Sequence, residues 1–478
     1  MLCTIEVTPA NSLIHEVKKL PDNATSVIFT PTWTLYGKYT LGDKAEKEVS
    51  EAFKHLPKTV RKVNCKGNEL GHRSLAYLKG IFSVLDNSIT YLNLSHNKLH
   101  VVFAHPGLRG DLSLLESLPF SLNTLDLSHN NFEVNSLQHG IAHLCRNVIN
   151  LNLSHNKLEY DGVIKILDWL KTKSVKQLDI THNSLIIPTD REWINLWKKL
   201  PPSIEQLLLG QEPMMDITCT VTPVNKPIFS NLKHLKVINI NPFNAFNLTK
   251  WIPYLPQNLT SLNLKFSLAH LDATSLSKSF ETLPKSLRRL SIGSNNLGNY
   301  SSDKLAEAFS KFPQNIVELN LRCTGIFYNK SGTELQKIFS PLQQVRILHL
   351  NGFETFSSKD IKQLRGIFPN LQTLYLDESD LELFGVDKEQ LDALHQAFSH
   401  VPNVIITPSA SSSINTNDKR AMANLTRKYG FKASVASLID FTAFFIASRP
   451  QIKTVDDKNR KLLTSEMDEL VESIKSSL

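Results

Sequence analysis

Apolar positions along this chain recur in one register: an apolar residue, two others, an apolar residue, one other, an apolar residue, two others and often Asn. The plainest copy is Ile89-Thr90-Tyr91-Leu92-Asn93-Leu94-Ser95-His96-Asn97-Lys98-Leu99. The register returns from Leu122, Val148, Val175, Leu287 and Ile316, with degenerate copies from Ala24, Val60, Ile204, Leu235, Leu259, Val345 and Leu371 and a partial one from Val404. Alternation in Leu92-Asn93-Leu94 predicts a short strand with both leucines facing inward and Asn93 outward. Asn97 turns the chain, because its carboxamide can satisfy backbone groups that a bend strips of ladder partners. Helical spacing follows the turns, as in Leu75, Leu78, Ile81, Phe82 and Leu85, or Val163, Ile164, Leu167 and Leu170. Pro119, Pro284, Pro313 and Pro369 each stop a helix before the next strand, since the residue preceding a proline avoids helical geometry.

A strand inside and a helix outside in every unit makes a stack that curves, because a helix layer is wider than the strand spacing of about 4.8 Å. The repeat, 24 to 36 residues between starts, resembles that of the leucine-rich-repeat family over residues 20 to 407. The resemblance implies an α/β fold of the ribonuclease-inhibitor-like kind. That is a right-handed βα solenoid shaped as a horseshoe, with a parallel sheet on the concave face, helices on the convex face and a small C-terminal all-α region. The expected organisation is an N-terminal cap over 1–19, the solenoid over 20–407, a linker over 408–414 and a helical region over 415–478.

Composition narrows the function. The formal net charge is +8, but 53 Lys and Arg are spread among 45 Asp and Glu without a long single-sign run, so nucleic acid is not an expected partner. The five cysteines are far apart and never in a Cys-x-x-Cys pair, which suggests neither a disulfide framework nor a zinc site. The N-terminus lacks the pattern of a secretory signal peptide. The most apolar stretch, Val435 to Ala447, is interrupted by Asp440 and falls short of the roughly 20 residues needed to cross a bilayer. A cytoplasmic, monomeric protein is expected. No phosphate loop, nucleophile elbow or zinc-protease run appears, so no enzyme activity, cofactor, metal or catalytic residue is expected. An Arg-finger GTPase activator on the same solenoid would use Arg289 or Arg322.

The repeat breaks between 204 and 272. The turn Asn gives way to Glu212, Phe243 and Ser267 in consecutive copies, and Gln211 to Ser230, with Pro213, Pro223 and Pro227, cannot be one helix. This segment is either an insertion packing its own apolar residues on the convex side or a partner-binding ridge, with Leu208, Met214, Met215, Phe243, Trp251, Tyr254 and Phe266 as candidate anchors. The concave face is the other candidate surface. Its two outward columns are mostly polar and uncharged, with apolar exceptions at Leu208, Val237, Ile347 and Tyr375 and with His349 beside them. Such a face suits a protein partner better than phosphate. His96, His129, His155 and His182 occupy one place in consecutive units and should stack. No carboxylate or cysteine column completes a ligand set beside them, so they read as a tolerated surface position.

After Ser413 three helical stretches follow, and the one around Phe441, Phe444 and Phe445 could lie on a membrane surface, a weaker expectation than a helical cap. The helix-rich solenoid with its Ser-His-Asn turns and short helical tail resembles the leucine-rich-repeat effectors exported by the Dot/Icm type IVB secretion system of intracellular bacteria. That resemblance implies an export signal in the acidic block Glu466, Asp468, Glu469 and Glu472, a host protein as partner, and a place of action in the host cytosol. The expected function is therefore a non-enzymatic interaction scaffold. The alternative is a cytosolic regulator or adaptor of the ubiquitin-ligase or GTPase-regulator type without secretion.

Overall fold

The computed structural model describes residues 1–35, 37–103, 114–133, 147–185, 190–209, 232, 235, 237–239, 252–268, 271–353, 356–384, 388–409 and 419–431. One sheet runs through them. Its strands are β1 (Leu2–Val7), β2 (Ser26–Thr34), β3 (Gly37–Tyr39), β4 (Lys62–Asn64), β5 (Tyr91–Asn93), β6 (Thr124–Asp126), β7 (Asn150–Asn152) and β8 (Gln177–Asp179). It continues with β9 (Gln206–Leu208), β10 (Val237–Asn239), β11 (Ser261–Asn263), β12 (Arg289–Ser291), β13 (Glu318–Asn320), β14 (Ile347–His349), β15 (Thr373–Asp377) and β16 (Asn403–Thr407). All pair in chain order and in parallel except β3, which folds back antiparallel on β2 as a hairpin.

The register aligns equivalent residues in every unit, so Leu92, Leu125, Leu151 and Leu178 stand side by side. These middle residues are buried, while the first residue of each strand stays partly exposed from Tyr91 to Gln206. Residues 1–19, expected as an N-terminal cap, supply β1, which extends the parallel sheet through its pairing with Ser26 to Pro31 of β2. The alternation Cys3, Ile5, Val7 gave too short an apolar signal to mark a strand by itself.

Side-chain caps set the start of several helices. Ser74, Asp272, Ser331 and Ser357 each accept the N–H three residues on, and Glu334 completes a capping box with Ser331. Proline carbonyls then close the turn into the next strand: those of Pro57, Pro119, Pro201, Pro256, Pro284 and Pro313 accept the N–H of the apolar residue that opens each repeat. Between sheet and helices lies one continuous apolar core. Its C-terminal half carries a row of rings, with Phe280, Phe309, Phe339 and Phe368 joined at centroid distances of 6.2, 6.5 and 5.2 Å. At the far end the helix Lys419–Lys428 packs on β16, burying Leu425, and the Thr426 hydroxyl accepts the Ile406 N–H at 3.3 Å. No helix among the described residues is long and apolar enough to cross a membrane.

Candidate functional site

The turn after each strand is built on buried asparagines. Asn68, Asn97, Asn130, Asn156, Asn183 and Asn295 are at most 5 % exposed. Each carboxamide donates to carbonyls of its own turn and of the preceding unit, as Asn156 does to Leu153, Ser154 and Leu127. The residue before each asparagine is held at positive φ: Gly67 at 71°, His96 at 58°, His129 at 54°, His155 at 53°, His182 at 54° and Ser294 at 53°. Asn, Asp and His tolerate that conformation better than other side chains, which accounts for histidine here. Where Ser267 replaces Asn, its hydroxyl donates to the Lys265 carbonyl, at 3.2 Å, and Phe266 takes the strained position at φ 60° with 48 % exposure.

The four histidines stack as their alignment leads one to expect, at centroid distances of 3.9, 4.0 and 4.0 Å and interplanar angles of 12 to 14°. Parallel rings carry their lone pairs side by side, so one ion cannot lie on the axes of two of them. Among the described residues no group of three or more His, Cys, Asp or Glu is placed to hold a metal. Burial, with the nearby Lys66 charge, moves His96 below the usual imidazole range, and burial with His96 does the same to His129, both against the pull of Asp126. Two imidazolium charges about 4 Å apart repel by about 1 kcal/mol in bulk water and about 4 kcal/mol near a protein surface, so adjacent rings resist joint protonation.

Beside this column, the concave face between β5 and β9 forms a depression of about 240 Å³. Its floor is Leu125, Leu151 and Leu178; around it stand Tyr91, Thr124, Asn150, Gln177 and Gln206 from the first outward column and Asp126, Asn152, Asp179 and Leu208 from the second. The polarity of that second column has a structural cause that the sequence pattern conceals. Asn64, Asn93, Asp126, Asn152, Asp179, Asn263 and Asn320 each use Oδ1 to accept the N–H two residues on, at 2.8 to 3.0 Å. Half of each side chain is thereby spent on the turn. Asp126 and Asp179 differ from the amides in keeping a full charge, and neither has an ion-pair partner among the described residues. Burial, then the Asp126 charge, pushes the Tyr91 phenol upward.

The anticipated binding residues do not form one surface. Leu208 lines the depression, and Phe266 sits on the turn rim beyond β11. Ile347, His349 and Tyr375 lie on β14 and β15, where the His349 and Tyr375 rings stack at 4.2 Å and His349 Nε2 stands 3.4 Å from Glu318. That contact holds the Glu318 carboxyl below its usual range. The two groups are five strands apart. Val237 and Tyr254 fall on β10 and a short turn, and their side chains lie outside the described residues, as do Met214, Met215, Phe243, Trp251, Glu466, Asp468, Glu469 and Glu472. Arg322, one candidate Arg finger, is tied to Asp377 and Thr407 across β15 and β16, which removes it from that role. Sequence reasoning missed the depression itself, whose signal is two Asp substitutions in a column of Asn, and it missed Trp33 and Leu35 at the β2–β3 hairpin, 80 % and 101 % exposed.

The repeat itself has a match among known families. The family model described as Leucine Rich repeat matches residues 144–167. Podocan-like protein 1 of Mus musculus is 26 % identical over 249 residues, 49 % of this chain and 39 % of that protein, so the chain matches about two fifths of its relative's length. Among solved structures, the leucine-rich-repeat-containing protein LegL7 from Legionella pneumophila is 20 % identical, covering 91 % of this chain and 100 % of that one with a TM-score of 0.33. TLR13 in complex with ssRNA13 is 17 % identical, covering 74 % and 53 %, with a TM-score of 0.41. At such scores neither structure carries a functional argument.

Proposed function

We propose that this leucine-rich-repeat chain is a non-enzymatic scaffold that takes a protein partner into the depression between β5 and β9, where basic side chains of the partner meet Asp126 and Asp179. The observation that carries this reading is the pair of carboxylates without an ion-pair partner among the described residues, set in a face otherwise lined by amides, hydroxyls and Leu208. Charge pairs at such a site steer and orient a partner, while Leu208 and Tyr91 supply apolar contact. The experiment is capture of interacting proteins by the full chain and by the double variant D126N/D179N. The variant should weaken capture roughly tenfold, the equivalent of about 1.4 kcal/mol; undiminished capture sinks the reading.

The proposed place of action is the cytosol, and specifically a host cytosol after export. The support is the acidic block Glu466, Asp468, Glu469 and Glu472 near the C-terminus. A translocation reporter fused to the chain without residues 459–478 should fail to enter host cells; entry equal to that of the full chain removes the secretion role and leaves the cytosolic adaptor.

A further inference from the structure

The depression is lined from β5 through β9, and four of these strands run on into the turns that bear the histidines, in segments 91–97, 124–130, 150–156 and 177–183. Within them the carboxylates are Asp126 and Asp179, and the imidazoles, the side-chain type best suited to sensing pH near neutrality, are His96, His129, His155 and His182. Each histidine lies three residues beyond a member of the aspartate column, so the stacked rings run alongside it. Charged groups facing His96 and His129 are Asp126, which favours their protonation, and Lys66, joined at the His96 end by Lys38, which oppose it. Lys38 is fastened there by its bond to the Gly67 carbonyl at 2.6 Å, at the place in the preceding unit that His96 holds in its own.

We propose that the histidine column is an acid-sensitive counterweight to the aspartate pair, so that the face engages a basic segment of its partner at neutral pH and releases it below about pH 6. The proposal rests on the docking reading above and adds its regulation. At neutral pH the rings are uncharged and the depression carries the two carboxylates alone. As pH falls, mutual repulsion sends protons to alternate rings first, and two protons are enough to cancel the two carboxylates. Electrostatic attraction for a basic segment then vanishes while the fold and the apolar contacts persist.

The test uses the full chain and the quadruple variant H96N/H129N/H155N/H182N, in which asparagine accepts the left-handed backbone and no ring of the column is left to take a proton. The probe is a dye-labelled octalysine peptide at constant ionic strength. The unmodified chain should bind it about fivefold or more weakly at pH 5.5 than at pH 7.5, and the variant should lose less than half of that ratio. Ring C–H resonances of the column should titrate together over more than about two pH units. Equal binding at both pH values, or the same pH dependence in the variant, overturns the switch and leaves the docking reading standing. Independent one-proton titrations of the four rings also overturn it. Binding at neither pH, with coupled ring titration, sinks the docking reading and leaves the charge switch in place.

Discussion

The carboxamide oxygen of Asn130 accepts the backbone N–H of Asn97, one repeat earlier, at 3.0 Å, and takes the Leu99 N–H as well, at 3.2 Å. Its nitrogen donates to the carbonyls of Leu94, Leu127 and Ser128. With Asn130 fully buried, Asn130→Ala leaves these groups without a partner that water can replace. We expect a loss of about 3 kcal/mol or more in denaturant unfolding. A cost below about 1 kcal/mol would show that the turns hold without the asparagines.

Close backbone approach makes a second prediction. A Cβ on Gly71 would press into the Lys98 carbonyl, which is backbone and cannot swing aside. Gly71→Ala should cost about 1 to 3 kcal/mol, the usual range for forced overpacking. Gly325→Ala meets no atom within 4 Å but sits at φ +63°, so it should cost about 1 kcal/mol from backbone strain alone. Equal melting temperatures for the two variants would contradict this ordering.

Phe266 separates a binding role from a structural one. It is half exposed and held at φ 60°, so Phe266→Gly relieves strain while removing a ring that contributes little to the core. Thermal stability should rise by the equivalent of about 0.5 to 1 kcal/mol. A simultaneous loss of partner capture marks the ring as an anchor; unchanged capture removes it from the interface.

Acid should weaken the fold in two windows. His96 and His129 have folded values lowered chiefly by burial, so the unfolded chain binds more protons, and their contribution is present above about pH 6.5 and lost below it. Glu334 is held at about 2 because the Ser302 hydroxyl and the Ser331 N–H and hydroxyl donate to it. Its contribution is present above the ordinary carboxylate value of 4.5 and lost as pH falls from there towards 2. Melting curves should show Glu334→Gln less stable than the unmodified chain at pH 6 and nearly equal to it at pH 2.5. A stability gap that does not change with pH would refute the assignment.

Much of this molecule was legible before its structure. The strand positions of Leu92, Leu125 and Leu151, the helix stops at the prolines, and the stacking of four histidines all follow from a short period repeated in register. β1 escaped notice because six residues with three partly or fully buried side chains look like many loops.

What the sequence determined by itself is the repeating unit, because alternation within a strand, the turn asparagine and the helix stripe act between residues less than one repeat apart. Tertiary structure alone decided which outward side chains remain available. Asn93 and Asp126 look equivalent in the repeat, yet both give Oδ1 to the turn and only Asp126 retains a charge to offer. Leu208 joins the depression while Ile347 and Tyr375 form another patch, and Arg322 is claimed by Asp377, 55 residues on. Such contacts depend on how far each unit is displaced and rotated on the last, a sum over many packed layers that no local pattern records.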